Sequence, residues 1–193
     1  MKIKEKVDVE EIVVFLGLSV PPAIVQHEFK KVTYLEEQEP RDLLPEKGPF
    51  LFFAERPIII LENSETTIIL ASMNVKPEFC EGHFEKMDNY ESRPNLPLYF
   101  IGGAAGQLCA IFTAVAKSDP RYMPLATDGS AKSLGDDLID LGSQLLFIVS
   151  LVERSKRGFE FKYEVCKDNH RVASGAVSSI AVPKSIVVKK HVK

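Results

Sequence analysis

The chain has 193 residues, of which 45% are hydrophobic and 26% are charged, and its formal net charge is −3. This length and composition are typical of one globular domain with a substantial core, with room for an appended segment. The slight negative charge gives no indication of a nucleic-acid partner.

Residues 1–40 are predicted to be an extension that precedes the main domain. Asp8 can cap a short helix, and a Pro-Pro pair then breaks the path of the chain. Residues 23–37 fit either a second helix or a strand, and their pattern does not decide between the two. Residues 12–20 are too short a hydrophobic run, and follow acidic residues too closely, for a secretory signal.

Residues 41–183 are predicted to form the main domain, which begins with a β-hairpin. Strand-forming residues dominate 50–61 and 66–75, and Asn63-Ser64 makes the turn between them. A strand is expected near 126–134, and three further strands are expected at 144–153, 159–167 and 171–182. Short polar turns separate these last three, so they form an antiparallel meander. The tail, 184–193, alternates Val with Lys and either extends a sheet edge or stays mobile.

The stretch from Pro97 to Ala116 carries no charge, and Gln107 is its only amide. It predicts a helix about 30 Å long, capped by Asn95, with Pro97 in its first turn and an end at residues 118–120. A helix that is apolar all round must be buried in a protein core or in a bilayer. No basic flank precedes it and alternating segments follow it. We therefore expect no membrane span, but a sheet wrapped around the helix.

One histidine stands out because it lies shortly before this helix. His83 sits between Gly82 and Phe84. A neutral imidazole there can take a proton, and the free N–H groups of the helix start can bind an oxygen. A lone histidine in a loop is also commonly a surface or hydrogen-bonding residue, so its position alone leaves both interpretations open.

The order of these motifs resembles that of the hot-dog-fold 3-hydroxyacyl-acyl carrier protein dehydratases over residues 41–183. The family motif L-L-P-x-x-x-P-F is matched at 43–50, G-H-F at 82–84, and R-P-x-x-P at 93–97, where the family's next glycine is Leu98 here. The resemblance implies an α+β hot-dog fold, in which an antiparallel sheet wraps around one long central helix.

The resemblance also implies roles for individual residues. His83 would be the base that removes the C2 proton of an acyl thioester. Phe84, Pro97, Leu98 and Gln107 fall at positions that imply substrate binding, with the backbone N–H groups near Leu98 polarising the thioester carbonyl.

The catalytic carboxylate of the family, which the other subunit of a dimer supplies, falls at Gly103, and residues 96–117 contain no Asp or Glu. Loss of one general acid–base partner typically costs a factor of about 10² to 10⁴ in rate. Three explanations stay open. The chain binds acyl thioesters without dehydrating them, a different subunit supplies the acid, or the loop 85–92 brings in Asp88 or Glu91.

We therefore expect a cytoplasmic acyl-thioester-binding protein of fatty-acid or related acyl-chain biosynthesis, with weakened or partner-dependent dehydratase activity. The expected partners are acyl carrier protein or a CoA thioester, and either a homo-oligomer (a dimer or a trimer of dimers) or a heterodimer that supplies the acid. The alternatives are a non-catalytic structural or regulatory subunit of a hetero-oligomeric dehydratase or polyketide-type assembly, and an acyl thioesterase.

The remaining reactive side chains indicate no further chemistry. The four histidines are scattered, so neither a metal nor a cofactor is expected. Cys80, Cys109 and Cys166 have no repeated spacing, which indicates reduced, inert thiols. Asp128 and Lys132 match an aspartate and a basic residue in the family's third strand, which implies a structural role for them.

Overall fold

The computed structural model describes residues 2–4, 12, 28–36, 42–44, 52–53, 57–80, 96–134 and 139–188. The strands and helices, in chain order, are β1 (Lys2–Lys4), β2 (Lys31–Leu35), β3 (Ile58–Glu62), β4 (Thr67–Asn74), α1 (Pro77–Cys80), α2 (Leu98–Lys117), β5 (Tyr122–Ser133), β6 (Gln144–Arg154), β7 (Gly158–Lys167), β8 (His170–Pro183) and α3 (Lys184–Val188).

The strands form one antiparallel sheet in the order β1-β2-β3-β4-β6-β7-β8-β5. The predicted hairpin is β3–β4, and the predicted meander is β6–β7–β8. The strand that follows α2, β5, crosses to the far side of the meander and pairs with β8 at the end of the sheet. The predicted α+β architecture, an antiparallel sheet with one long helix packed against it, is confirmed.

Two tight turns fix the register of the hairpins, and both were predicted. The Asn63 side-chain oxygen accepts hydrogen bonds from the backbone N–H groups of Glu65 at 2.9 Å and Thr66 at 2.7 Å. Asp168 and Asn169 have φ angles of 48° and 66° between β7 and β8. Two successive residues with positive φ match the right-handed twist of a hairpin, and Asn and Asp tolerate that conformation best among residues with a side chain.

The predicted long helix is confirmed as α2, but its first turn differs from the prediction. Pro97 is the cap residue, with φ −65° and ψ 145°, and no side chain makes a capping hydrogen bond to it. Its carbonyl already accepts a hydrogen bond from the Phe100 N–H at 3.0 Å, so placing it inside the helix was wrong. The predicted cap, Asn95, lies outside the described residues. At the other end, Ser118 adopts φ 48° and its N–H bonds to the Ala114 carbonyl at 3.0 Å.

The inner face of α2 forms the main core with buried side chains from β3, β4, β6, β7 and β8. Phe112 contacts Phe159 and Phe161 edge-on, at centroid distances of 5.2 and 5.6 Å. Of the described helices, α2 alone has the length and hydropathy to cross a membrane, and 61% of its most apolar window is buried in the fold. The expectation of burial all round is wrong in part, because Gly103 is exposed and Tyr99 is 61% exposed.

The opposite face of the sheet carries a second apolar cluster. Ile12 and Phe29 from the N-terminal segment pack there with side chains of β2, β3, β4 and β6. Residues 31–35 form β2, which settles the choice that the sequence left open between helix and strand. Together β1 and β2 extend the sheet beside β3. The division of the chain at residue 41 stays a prediction.

Three element boundaries differ from the sequence prediction. The strand expected from residue 50 begins only at Ile58, and Phe52 lies in a turn held by a hydrogen bond to α2. The strand expected near 126 already begins at Tyr122, because β8 pairs with it over that length. The start of the tail forms α3 rather than an edge strand, and the Lys184 N–H at its first residue makes the last bond to β5's side of the sheet, to the Arg121 carbonyl at 2.9 Å.

Substituting Ser179→Ala is expected to lower the free energy of unfolding by about 1–2 kcal/mol. The Ser179 hydroxyl is fully buried, donates to the Leu125 carbonyl at 3.1 Å and lies 2.9 Å from the Thr113 hydroxyl oxygen. The substitution leaves the Leu125 carbonyl without that donor. Urea unfolding would detect the resulting decrease in the free energy of unfolding. The neighbouring partly buried Ser178 is the control: Ser178→Ala should change stability by less than about 0.5 kcal/mol, and equal losses at both positions would contradict the argument.

Candidate functional site

A groove of about 390 Å³ runs between α2 and the outermost strand, β5. From α2 it is lined by Gly102, Gly103, Gly106, Gln107 and Ala110. From β5 it is lined by a segment that begins at Pro124, and Phe52 closes it from the side. The groove therefore follows the face of α2 that the core leaves uncovered.

Glycine residues on α2 bring the helix close to β5. A Cβ atom at Gly106 would lie 3.3 Å from the Ala126 Cβ, and one at Gly102 would lie 3.7 Å from the Ala131 Cβ. The first distance is tighter than ordinary van der Waals contact, so a Cβ at Gly106 would require Ala126 to move by a few tenths of an ångström. Among the residues that the structure describes, a Cβ at Gly103 would meet only the Phe52 ring, at 3.7 Å, which is an ordinary contact. Gly103 therefore has room for a side chain.

Among the predicted site residues, the structure brings Gly103 and Gln107 together in the groove. Gln107 is buried, and its side-chain oxygen accepts a hydrogen bond from the Phe52 N–H at 3.1 Å. This bond anchors the turn at residues 52–53 on the helix. A role of Gln107 in substrate binding stays a prediction.

Aromatic rings form a wall behind Phe52, the aromatic residue that lines the groove. The Phe52 ring lies 5.1 Å from that of Phe79 and 5.9 Å from that of Phe100, and Phe100 stacks at 4.5 Å on the exposed Tyr99. Edge-to-face and tilted arrangements at these distances are favourable for aromatic pairs. No pattern in the sequence predicts this wall, because its members come from three separate segments and no spacing links them.

Two of the predicted substrate-binding residues, Pro97 and Leu98, lie about one helical turn before the first glycine of α2. Pro97 and Leu98 are partly buried at the start of α2, and Leu96 is held there by a hydrogen bond from its N–H to the Ile139 carbonyl at 2.8 Å. The first turn of a helix presents backbone N–H groups and a partial positive charge. His83 and Phe84 lie outside the described residues, as does the loop with Asp88 and Glu91.

Asp128 is the one titratable residue in the described lining of the groove. The pairing of β5 with β8 turns its side chain away from α2. Ser179 contacts Thr113 of α2 and therefore faces the helix. Asp128 pairs with Ser178, the next residue along β8, so its side chain belongs to the opposite face of the sheet. Lys132 pairs with Ser174 and shares that outer face. Asp128 is therefore not placed to replace the carboxylate that Gly103 lacks.

The thiols and the buried tyrosine are held in their neutral forms. Cys80, Cys109 and Cys166 are all buried and unpaired, as the sequence predicted. Burial raises the pKa of each thiol, most strongly at Cys109, so none is activated as a nucleophile. Burial also raises the pKa of Tyr163 to about 12. Among the described residues, no three His, Cys, Asp or Glu side chains converge to hold a metal ion.

A second cavity, of about 540 Å³, lies at the C-terminal end of α2. Pro124 lines both cavities, so the second continues the direction of the groove along the helix. Its lining is mostly apolar, including Leu44, Val115 and Tyr122, and it also includes Lys117 and Lys184. No sequence pattern marked it, because it forms where the helix end, β5 and α3 meet.

No family model and no curated protein matches this sequence. Solved structures do match. A chain of the dehydratase heterocomplex ApeI:P from Xenorhabdus doucetiae superposes with a TM-score of 0.57 and 14% identity over 80% of this chain and 97% of that one. The fluoroacetyl-CoA thioesterase FlK superposes with a TM-score of 0.54 and 14% identity over 64% and 90%.

A hot-dog-like protein from Thermanaerovibrio acidaminovorans is similar as well, with a TM-score of 0.54 and 13% identity over 64% of this chain and 86% of that one. Together with the sheet order and the packing of α2, these similarities establish that the chain has the hot-dog fold.

Proposed function

We propose that the chain binds acyl thioesters carried by acyl carrier protein or CoA, and that its dehydratase activity is weakened or depends on a partner subunit. The observation that carries the proposal is the open groove along α2, which runs past three glycines and begins about one turn after the start of the helix. Such a groove offers a path for an extended chain, and backbone donors lie about one helical turn before it. The proposed setting is cytoplasmic acyl-chain biosynthesis.

The first helical turn supplies the groups that would polarise the thioester. The N–H groups near Leu98 lie one turn, about 6 Å, before Gly102, and no described side chain competes for them as a cap. A carbonyl oxygen that gains negative charge during proton abstraction is stabilised by such donors. This function needs only backbone amides, so Leu98 can fulfil it in place of the family's glycine.

His83 would act as the base in the proposed reaction. Its imidazole takes the C2 proton of a 3-hydroxyacyl thioester, and the released electron pair forms the C2–C3 double bond as the C3–O bond breaks. The departing hydroxyl needs a proton to leave as water, and Gly103 has no group that could donate one. The reaction is therefore expected to be slow with this chain alone.

A second subunit is the most direct source of the missing acid. In a homodimer, Gly103 would occupy the position of the family's carboxylate in both sites, so each site would lack the acid. A different hot-dog chain would instead supply the acid to the proposed base, His83. The similarity to a chain from a dehydratase heterocomplex supports this arrangement. The loop residues Asp88 and Glu91 remain the alternative source within this chain.

A non-catalytic subunit is the second candidate function, and the absence of Asp and Glu from residues 96–117 favours it. In that case the groove would hold an acyl thioester without converting it. Hydrolysis of the thioester is a third possibility on the same fold, and the similarity to the thioesterase FlK supports testing it.

Hydration of crotonyl-CoA by the purified chain tests the proposal, because the loss of the enoyl absorbance and the release of free thiol separate hydration from hydrolysis. We expect slow hydration without thiol release, and we expect His83→Ala to abolish it. His170, an exposed histidine on β8, is the matched control, and His170→Ala should leave the rate unchanged. Activity that survives in His83→Ala would show that the assigned base is wrong.

A further inference from the structure

The cavity of about 540 Å³ at the C-terminal end of α2 forms where β8 and β5 carry small side chains on their inner face. Ser179 contacts Thr113 of α2, so Ala181, two residues further along β8, also faces the helix side of the sheet. Ala181 pairs with Pro124 of β5, and both residues line the cavity. Its volume lies within the range of about 300–1,000 Å³ that is typical of small-molecule sites.

The lining of this cavity combines a buried apolar part with residues that reach solvent. Leu35 and Leu44 are buried, whereas Ser118 and Tyr122 are exposed. The cavity therefore has an apolar interior and opens to solvent near the end of α2. Such a shape can take up the apolar part of a ligand while the polar part stays in water.

Cationic residues are concentrated around the cavity. Lys117 and Lys184 belong to its lining. The Lys117 ammonium group donates to the Lys156 carbonyl at 3.3 Å, and the Ala181 N–H donates to the Arg157 carbonyl at 3.4 Å. We call Lys117, Lys156, Arg157 and Lys184 the cationic cluster. None of these four side chains forms an ion pair with a residue that the structure describes.

Little negative charge opposes the cationic cluster. Asp119 lines the cavity, but its carboxylate is paired with the Arg121 guanidinium at 2.6 Å. Asp42 is the other carboxylate of the described lining. The C-terminal end of α2 adds about half a negative charge. Four unpaired cations outweigh these two contributions, so this end of the molecule is positive although the whole chain has a net charge of −3.

We propose that this cavity binds a long-chain carboxylate, with the apolar chain inside the cavity and the carboxylate at the cationic cluster. The apolar interior removes the chain from water, and the cations match the charge of the head group. A lysine ammonium group has three donors, and Lys117 uses one of them on the Lys156 carbonyl. The others can form charge-assisted hydrogen bonds with a carboxylate.

An anionic bilayer is the competing partner for this region. Residues 184–193 contain four lysines and no Asp or Glu, and such segments are attracted to anionic lipid surfaces. Surfaces that bind bilayers insert apolar side chains into the lipid. Here the apolar side chains instead line a concave site, which takes up the chain of a single ligand. The shape therefore favours one bound amphiphile over a bilayer.

The inference goes beyond the proposed function, because it concerns a different cavity and a ligand that needs no carrier. The described lining of the groove extends along α2 to Ala110, and that of the cavity begins at Thr113. Pro124 is the described residue that lines both. A substitution that fills one of the two spaces can therefore leave the other open.

Calorimetric titration of the full chain with decanoate, below its micelle concentration, tests the class of ligand. We expect saturable binding of one molecule per chain. Dodecanoate should bind at least about tenfold more tightly, because each buried CH₂ group contributes a factor of about four. Decyltrimethylammonium, with the same chain and a positive head group, should bind at least about tenfold more weakly than decanoate.

Two results would overturn the class of ligand. One is equal binding of decanoate and decyltrimethylammonium. The other is an absence of decanoate binding, and in that case sedimentation with phosphatidylglycerol vesicles would show whether a bilayer is the partner instead.

Variants test the location of the site. Lys184→Glu should weaken decanoate binding at least about tenfold, because it reverses one charge of the cationic cluster. Lys132→Glu, at an exposed lysine of β5, is the matched control and should stay within about twofold of the unchanged chain. Ala181→Phe should also weaken binding, because the ring would occupy the cavity. Equal affinities of the two lysine variants would overturn the proposed location.

Gly103→Trp separates this site from the groove. It should leave the affinity for decanoate unchanged, because Gly103 lines the groove and is not part of the cavity lining. Loss of decanoate binding in this variant would place the ligand in the groove and overturn the inference. If the chain binds decanoate but no acyl-CoA analogue, the proposed function fails and the inference stands.

Discussion

Gly103→Glu is expected to raise the rate of crotonyl-CoA hydration by a factor of about 10² to 10⁴. The substitution places a carboxyl group at the position where the resemblance expects one. The structure has room for it, since Gly103 is exposed and a Cβ there would make only an ordinary contact with the Phe52 ring. Because glycine is unfavourable inside a helix, the change should also stabilise α2, by about 0.5–1 kcal/mol.

Gly103→Gln is the control for this experiment, because it has the same length and shape but cannot donate a proton as an acid. It should leave the rate near that of the unchanged chain. Adding His83→Ala to Gly103→Glu should remove the gain. A rate that Glu and Gln raise equally would show that the side chain acts through binding or stability rather than as an acid.

Among the glycines that the structure describes, Gly175 is where a Gly→Ala change is expected to cost the most stability, about 2–4 kcal/mol. A Cβ at Gly175 on β8 would overlap the Ser130 carbonyl oxygen and lie 2.5 Å from the Tyr163 hydroxyl oxygen. These two atoms hydrogen-bond to each other at 2.8 Å, so the new methyl group would push β5 away from β8 and break that bond.

Gly129→Ala is the matched control, on the adjacent strand. A Cβ at Gly129 would lie 3.7 Å from its nearest atoms, which is ordinary contact, so this variant should unfold close to the temperature of the unchanged chain. Gly175→Ala should unfold at a lower temperature, by about 2–4 °C for each kcal/mol lost. Equal melting temperatures for the two variants in calorimetry would contradict the packing described for the β5–β8 pair.

Much of the fold could be predicted because local signals agree with the final topology. The uncharged stretch 97–116 is apolar on every face, which predicted a buried helix, and the alternating segments after it predicted the sheet that packs against it. Asn63 and the Asp168-Asn169 pair are turn residues whose preferences are local, so the hairpins could be placed from the sequence. The boundaries were less accurate where long-range pairing decides them, as at the start of β5.

Other features depend on contacts between segments that are far apart in the chain. The spacing of residues in the sequence does not predict such contacts. The turn at Phe52 exists because its N–H bonds to Gln107, a residue in a different element. The second cavity and the aromatic wall likewise form only when separate segments meet. The open face of α2 was missed for another reason: hydropathy indicates that a helix is apolar, but not which of its faces the sheet leaves uncovered.

The candidate site was predicted unevenly. The sequence alone showed that no acid is available on the helix, and the structure adds that Gly103 lines an open groove. The sequence matched Asp128 to the family pattern, but only the register with β8 shows that it faces away from α2. The assignment of His83 as the base still rests on the resemblance.

Calorimetric titration with a non-reactive thioether analogue of an acyl-CoA tests the central claim, that the groove along α2 binds acyl thioesters. We predict saturable binding with one site per chain, weakened at least about tenfold by Gly103→Trp, because an indole there would fill the groove. Ala116→Trp, at an exposed position of α2 beyond the groove, should bind like the unchanged chain. No binding, or binding that Gly103→Trp leaves unchanged, would contradict the account.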